Sequence, residues 1–193
     1  MDFDPDGLRD RDALGDRINL YALVIYLPPP LGLFLDDLRR EMVPGCNPHA
    51  HVSVLPPRTL GVSAEAAMEE ARRIIAGLEP FDIELGNIDL FPVTDVIYIS
   101  VEGGTAQLRD LHRILNQGMW SFAEPFPYHP HLTLAQEIDA AHVQPLRDLA
   151  ARRWQEFQGP RVFRAERAIF VQNTRDGQWI DLAEGPLGAV PVG

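Results

Sequence analysis

A short strand-like pattern occurs twice in this chain and restricts its fold more than any other feature. Residues 51–54 read HVSV and residues 131–134 read HLTL, so a histidine, a hydroxyl residue and two apolar residues recur in the same order. Successive side chains of a β-strand point to opposite faces of the sheet. We therefore predict that each histidine shares a face with its hydroxyl residue, while the apolar residues point into a core.

The order of elements around these two strands also repeats. Hydrophobic periodicity predicts the order β-α-β-α-β around HVSV, followed by β-α-β-α-β-β around HLTL. The tripeptide VIY occurs at residues 24–26 and again at 96–98, in the strand that opens each half. We interpret the chain as a duplicated α+β fold with two lobes, each an antiparallel sheet with outer helices, related by a pseudo-two-fold axis across a central cleft.

Composition sets the limits of this domain and of its partners. The chain has 193 residues, of which 46% are hydrophobic, which is enough for one two-lobed domain over residues 18–185. Residues 1–17 carry six Asp and three Arg and predict a loose acidic arm without the features of a secretory signal, while residues 186–193 form a tail. The net charge of −11 argues against binding a long nucleic-acid duplex. We expect a cytoplasmic monomer that does not enter a membrane.

Several reaction classes are excluded because the chain contains no lysine. All 17 basic residues are arginine. A P-loop, a pyridoxal Schiff base and a self-adenylylating ligase each need a lysine side chain. Cys46 is the one cysteine in the sequence, so neither an internal disulfide nor a cysteine-rich metal site can form.

The repeated pattern has a direct chemical use if its two strands face each other across the cleft. A neutral imidazole can take a proton from water or from a ribose hydroxyl, and a protonated imidazole can donate one to the leaving oxygen. The two hydroxyls can bind the non-bridging oxygens of a phosphodiester as charge develops. This chemistry requires no metal and no cofactor. Two such patterns arise by chance in roughly 1% of comparable chains, so the pair is informative.

The sequence resembles the two-histidine (2H) phosphoesterases, which include the 2'-5' RNA ligase-like proteins. Their mark is a pair of H-φ-[ST]-φ motifs in a duplicated α+β fold, matched here by HVSV, HLTL and the lead-in YHPHLTLA. The resemblance covers residues 18–183 and implies cleavage of 2',3'-cyclic phosphates or of small 2'-5' or cyclic nucleotides without a cofactor. It implies that His51 and His131 are the catalytic pair and that Ser53 and Thr133 bind the phosphate.

The resemblance leaves part of the phosphate and base binding open. Many relatives carry a basic residue shortly after the second motif, where this chain has Gln136. Arg58, in the LPPR that follows the first motif, could replace that charge, or it could be a solvated loop residue. Phe126 and Tyr128, just before the second motif, could stack on a base or pack at a lobe edge. The expected partner is a small nucleotide, or an RNA 3' end that carries a cyclic phosphate.

Two alternatives remain open at this point. The same site could bind a cyclic nucleotide without turning it over. Each motif is also part of a His-x-His pair, formed with His49 or His129, and four imidazoles could hold zinc in a hydrolase. Against zinc, neither motif contains an acidic residue, and a proline lies next to each outer histidine, Pro48 before His49 and Pro130 after His129, which places both at strand entrances. The sequence does not decide which motif histidine is the acid and which is the base.

Overall fold

The computed structural model describes residues 16–91 and 93–188, which fold into two antiparallel four-stranded sheets and their helices. Sheet 1 contains β1 (Arg17–Tyr26), β2 (His51–Arg58), β7 (Arg167–Thr174) and β8 (Trp179–Pro186), in the order β2-β1-β7-β8. Sheet 2 contains β3 (Phe81–Phe91), β4 (Val96–Gly103), β5 (His131–Ala135) and β6 (Val162–Ala165), in the order β5-β4-β3-β6. The helices are α1 (Leu31–Met42), α2 (Ala64–Ala76), α3 (Thr105–Leu115) and α4 (Ala140–Glu156).

The predicted two-lobe α+β architecture is confirmed, and the two lobes have matching strand orders. The strand that carries HVSV, β2, is the outer strand of sheet 1, and the strand that carries HLTL, β5, is the outer strand of sheet 2. These two outer strands contact each other where the sheets meet. The fold therefore brings together two motifs that are 80 residues apart in the chain.

Two of the connecting helices are exchanged between the lobes. Helix α1 follows β1 of sheet 1 but packs against β5 of sheet 2 and against α4. Helix α3 follows β4 of sheet 2 but packs against β2 of sheet 1 and against α2. Because each lobe donates a helix to the other, the relative position of the two motif strands is set by packing across the lobe boundary.

One continuous hydrophobic core runs through both lobes. It includes the apolar residues of the two motifs, and their exposed fractions are close to zero: 0% for Val52, 0% for Val54, 0% for Leu132 and 1% for Leu134. This confirms the predicted direction of those side chains. Burying an apolar side chain of this size stabilises a fold by about 1.5–3 kcal/mol, so the core holds the opposite, polar face of each motif strand toward the cleft.

The duplication is arranged differently from the predicted order of elements. The sequence interpretation placed β3 in the first half, but β3 pairs with β4 and β6 in sheet 2, and the C-terminal strands β7 and β8 complete sheet 1. The two VIY tripeptides are also out of register. Tyr26 lies opposite His51, whereas Tyr98 lies opposite Thr133, two residues further along the equivalent strand.

The predicted terminal segments fall largely outside the described residues. Residues 1–15 and 189–193 lie outside them, and Arg17, which we assigned to the arm, already pairs with Thr174 in sheet 1. Among the helices of the described part of the chain, none has the length and apolar character needed to span a bilayer.

Candidate active site

The four polar motif side chains lie on the two outer strands that contact each other between the sheets. His51 and Ser53 alternate on β2 with buried valines, and His131 and Thr133 alternate on β5 with buried leucines. All four polar residues are half-buried. The positive charge of His131 contributes to lowering the pKa of His51, so the two imidazoles are close enough to interact electrostatically. The structure thus brings together all four predicted motif residues.

Both motif imidazoles are oriented by the same backbone contact. His51 Nδ1 lies 2.7 Å from the carbonyl oxygen of His49, and His131 Nδ1 lies 2.7 Å from the carbonyl oxygen of His129. A carbonyl oxygen can only accept a hydrogen bond, so Nδ1 must carry the hydrogen in each ring. The contact leaves Nε2 of each imidazole as the atom available for proton transfer.

The surroundings of His51 and His131 favour their neutral forms. Burial lowers the pKa of His51 to about 4; the positive charges of Arg39, His49 and His131 also lower it, and the backbone hydrogen bond at His49 opposes the shift. Burial also lowers the pKa of His131, and the charge of His129 adds to that effect. In the free protein His51 is therefore neutral at pH 7 and able to accept a proton.

One tyrosine lies near the motif histidine of each lobe, and each is paired with a carboxylate. The Tyr26 hydroxyl donates to Asp181 Oδ1 at 2.6 Å, and Tyr98 is paired with Asp89. Burial raises the pKa of both phenols, and the neighbouring carboxylates raise it further. Both hydroxyls therefore stay protonated at neutral pH and remain hydrogen-bond donors.

Aromatic rings stack beside each motif histidine. His49 stacks on Tyr26 with 3.4 Å between the ring centroids, and the Tyr26 ring is 6.3 Å from that of His51. On the other lobe, Phe91 stacks on Tyr98 at 4.0 Å and meets the His131 ring edge-on at 5.0 Å. The cleft thus has a stacked aromatic wall on each side of the two imidazoles.

Arg58 lies in a buried network and is not free to bind a ligand. Its Nε donates to Pro56 O at 3.0 Å, and one terminal nitrogen donates to Asn116 Oδ1 at 2.7 Å and to Trp120 O at 3.0 Å. The other terminal nitrogen forms a salt bridge with Glu124 at 2.5 Å, and the side chain is 0% exposed. This geometry argues against the predicted substrate-binding role of Arg58, because its donors are already used inside the protein.

The two aromatic residues before the second motif have different positions. Phe126 is 57% exposed on the loop that leads to β5, where its ring is open to a ligand. Tyr128 is half-buried, stacks on His112 at 4.0 Å between centroids, and donates its hydroxyl to Ser53 O at 2.7 Å. Tyr128 therefore ties the loop before β5 to the opposite motif strand, a positioning contact that sequence reasoning did not anticipate.

Arg39 is a residue near the site that sequence reasoning missed. It lies in the last turn of α1, and its charge acts on His51. A sequence signal did exist, because Arg39 follows Leu35 by four positions and precedes Met42 by three, which places it next to the buried stripe of the helix. Arg40 is the next residue, and two consecutive arginines on a helix usually indicate a solvated face, so the pair did not predict a residue near a site.

The outer histidines do not join the inner ones in a metal-ligand cluster. His49 is stacked on Tyr26, while His129 lies edge-on to Phe91 at 5.4 Å and has its ring centroid 6.3 Å from that of His131. Across residues 16–91 and 93–188, no three side chains of the His, Cys, Asp or Glu type come together in a metal-binding arrangement. The geometry of the described residues therefore does not favour the zinc alternative.

A family model and several named proteins match this chain. The model of the 2'-5' RNA ligase superfamily matches residues 27–177. OB1230 of Oceanobacillus iheyensis, which carries the name phosphoesterase, is 38% identical over 96 residues, which are 45% of this chain and 56% of that protein. GK0864 of Geobacillus kaustophilus, with the same designation, is 28% identical over 130 residues, or 63% of this chain and 71% of that protein. The chain thus spans little more than half of the length of OB1230.

Solved structures match the fold over most of the chain. Escherichia coli LigT in its apo form aligns with a TM-score of 0.57 and 19% identity, covering 88% of this chain and 97% of LigT. The LigT complex with 3'-AMP aligns with a TM-score of 0.57 and 18% identity, covering 90% and 98%. TT0787 of Thermus thermophilus aligns with a TM-score of 0.54 and 19% identity, covering 88% and 98%. At these identities the matches establish the fold alone.

Proposed function

The chain belongs to the 2'-5' RNA ligase superfamily, and from that premise we propose that it is a metal-independent phosphodiesterase that hydrolyses 2',3'-cyclic phosphates or small 2'-5'-linked or cyclic nucleotides. The observation that carries the proposal is the matched pair of imidazoles. Both have Nδ1 bound to a backbone carbonyl at 2.7 Å, which leaves Nε2 for proton transfer, and they lie on two strands that contact each other. Two such nitrogens are what proton transfer to and from a phosphodiester requires.

We assign the base role to His51 and the acid role to His131. His51 accepts the proton of the attacking water at Nε2 while the water oxygen forms a bond to phosphorus. The bond from phosphorus to the ribose oxygen breaks, and His131 donates the proton of its Nε2 to that oxygen. The assignment rests on the pKa of His51, which burial lowers to about 4 and which keeps this imidazole neutral at pH 7. Binding of an anionic phosphate favours the protonated form of His131.

Ser53 and Thr133 bind the non-bridging phosphoryl oxygens in this proposal. Each lies on the same face of its strand as its histidine, two residues away. A hydroxyl aimed at an oxygen that gains negative charge stabilises the transition state more than the bound substrate. The pair thus acts on the same phosphorus from both lobes.

The aromatic walls support a nucleotide as the substrate. Stacked rings flank the imidazoles on both lobes, and Phe126 has an exposed ring at the rim. Stacking of a base on an aromatic side chain contributes ~1–3 kcal/mol. The structural neighbour LigT has been crystallised with 3'-AMP, which is consistent with a mononucleotide as the ligand class. The net charge of −11 favours a small ligand over a long polyanion.

A substrate panel tests the proposal. The protein is mixed with 2',3'-cyclic nucleotides, 3',5'-cyclic nucleotides and 2'-5'- and 3'-5'-linked dinucleotides, and the products are identified by ³¹P NMR, with and without EDTA. We expect turnover that survives chelation and falls by ~10²–10⁴ in His51→Asn and in His131→Asn. His142→Asn, on the exposed side of α4, is the matched control.

Three outcomes would contradict the proposal. Near-normal turnover in both active-site variants would remove the acid–base assignment. Stoichiometric binding of a nucleotide with no product would favour a binding module. Loss of turnover with EDTA, together with stoichiometric zinc, would favour a metal site.

A further inference from the structure

The proposed reaction needs a permanent positive charge near the phosphoryl group, and the residues assigned to the site so far do not supply one. A phosphodiester carries one negative charge and gains a second as water adds to phosphorus. The hydroxyls of Ser53 and Thr133 are neutral, and Arg58 is held by Glu124 in its buried network. The residue that follows the second motif, Gln136, is exposed and uncharged. The compensating cation must therefore come from another element.

Arg39 reaches the cleft because α1 crosses from one lobe to the other. The helix leaves sheet 1 after β1 and packs against β5, and Arg39 lies in its last turn. The charge of Arg39 lowers the pKa of His51 more than the charges of His49 and His131 do. The guanidinium is thus close to the imidazole that we assign as the base.

Among the described residues, no side chain pairs with the Arg39 guanidinium. Its Nε is buried without a hydrogen bond, the one such side-chain nitrogen or oxygen among the described residues. Within those residues the guanidinium forms no ion pair, although Cys46 and, to a smaller extent, Asp36 are near enough to raise its pKa. Burial lowers the pKa of Arg39, which means that the cation is held in an environment that disfavours charge. An unpaired buried donor costs about 1–3 kcal/mol, and more when it is charged.

The adjacent residue, Arg40, has surroundings that differ from those of Arg39. Arg40 is exposed and forms a salt bridge with Asp37 at 2.7 Å, one turn earlier on the same helix. Two consecutive arginines on one helix therefore differ in surroundings: Arg40 is solvated and paired, whereas Arg39 is half-buried, has no ion pair among the described residues and acts electrostatically on His51. A half-buried guanidinium without an ion pair, close to a neutral base, is placed to receive an anion.

We propose that Arg39 is a further catalytic residue, which binds a non-bridging oxygen of the phosphodiester beside His51 and compensates the charge that develops there. This inference rests on the proposed function. Arginine suits the role because its donors form a planar fork that matches two phosphoryl oxygens. In the transition state the guanidinium and the protonated His131 together balance the two negative charges of the phosphoryl group. Arg39 takes no proton, and the proton path remains from water to His51 and from His131 to the ribose oxygen.

The test compares Arg39→Gln with Arg40→Gln, which remove the same charge from neighbouring positions. Turnover of the substrate found in the panel is measured from pH 4 to 9, and the affinity for inorganic phosphate is measured by calorimetry. We expect Arg39→Gln to lower kcat/KM by about 10²–10³ and to weaken phosphate binding at least about tenfold. Arg40→Gln should change either quantity by less than roughly twofold. Arg39→Lys, which retains the charge without the fork, should recover part of the loss.

The pH profile separates this role from a purely structural one. Without the charge of Arg39 the pKa of His51 rises, so the acidic limb of kcat/KM in Arg39→Gln should move to higher pH, while in Arg40→Gln it should stay in place. If Arg39→Gln retains wild-type turnover and phosphate affinity, the inference is overturned and the phosphodiesterase assignment stands. If the wild type turns over no diester, the proposed function fails. Phosphate affinity then tests the role of Arg39 by itself. Equal affinity in Arg39→Gln and Arg40→Gln would reject an anion-binding role for Arg39. Weaker binding in Arg39→Gln alone would support Arg39 as an anion site.

Discussion

The burial of His51 should make the stability of the fold depend on pH in a definite direction. In the folded protein the pKa of His51 is lowered to about 4, and in the unfolded chain it returns to its ordinary value of 6.5. Between these values the unfolded chain binds more protons, so the free energy of unfolding falls as the pH decreases. A separation of about 2.5 units corresponds to roughly 3 kcal/mol at pH 4, and to about 2 kcal/mol at pH 5.

Urea denaturation of the wild type and of His51→Asn between pH 7.5 and 5 measures this contribution. Asparagine cannot take up a proton, and its amide can still donate to the carbonyl of His49, which accepts from Nδ1 in the wild type. The carboxylates titrate in both proteins, so their effect cancels in the difference. We expect wild-type stability to fall by about 2 kcal/mol more than that of His51→Asn over this range. His142→Asn, a change on the exposed side of α4, controls for the loss of any histidine.

Two results would refute this reasoning. Parallel pH dependences of the wild type and of His51→Asn would mean that the imidazole is as well solvated in the folded protein as in the unfolded chain. An NMR titration of the His51 ring with a midpoint near 6.5 would show directly that the pKa of His51 is not lowered in the folded protein. Either result would also withdraw the argument that His51 is the base.

Three further predictions concern the residues around the imidazoles. Removing a hydroxyl, in Ser53→Ala or Thr133→Ala, should lower kcat by roughly 10² while the urea midpoint barely changes; an unchanged kcat would exclude contact with the phosphoryl oxygens. Tyr128→Phe should destabilise the fold by about 1–2 kcal/mol, because the carbonyl of Ser53 loses its donor at 2.7 Å, and an unaltered urea midpoint would show that water replaces that bond. Arg58→Met should cost about 3–5 kcal/mol by removing the arginine partner of Glu124, and the double variant Arg58→Met/Glu124→Leu should recover much of it. If the single variant is as stable as the wild type, the buried salt bridge contributes nothing.

The polar and apolar faces of the two motif strands could be read from residue order. Alternation with a period of two is a property of neighbouring residues, so HVSV and HLTL were sufficient to predict which side chains enter the core, and Val52 and Leu132 are both 0% exposed. Strand pairings between residues far apart in the chain could not be predicted from residue order. The sequence interpretation placed β3 in the wrong half because an antiparallel strand can join either sheet, and the choice depends on which edge is available after folding.

The two arginines near the site also show the difference between what residue order predicts and what packing determines. Arg58 follows the first motif closely, so the sequence left both a substrate-binding role and a solvated loop position open, yet the packing of α3 and its following loop places Asn116 and Glu124 around it. Arg39 is 12 positions before His51, and no local pattern connects the two. The position of Arg39 depends on the packing of α1 against β5 and α4 of the other lobe.

Residue order was thus enough to predict the two-lobe class of the fold and the four motif side chains, since both follow from local periodicity repeated along the chain. Packing between the lobes brought the motif strands together, enclosed Arg58 and, among the described residues, left Nε of Arg39 buried without a hydrogen bond. These outcomes depend on contacts between residues far apart in the chain. Such contacts are set by how helices and sheets bury their apolar faces against one another, and the pattern within a single segment does not encode them.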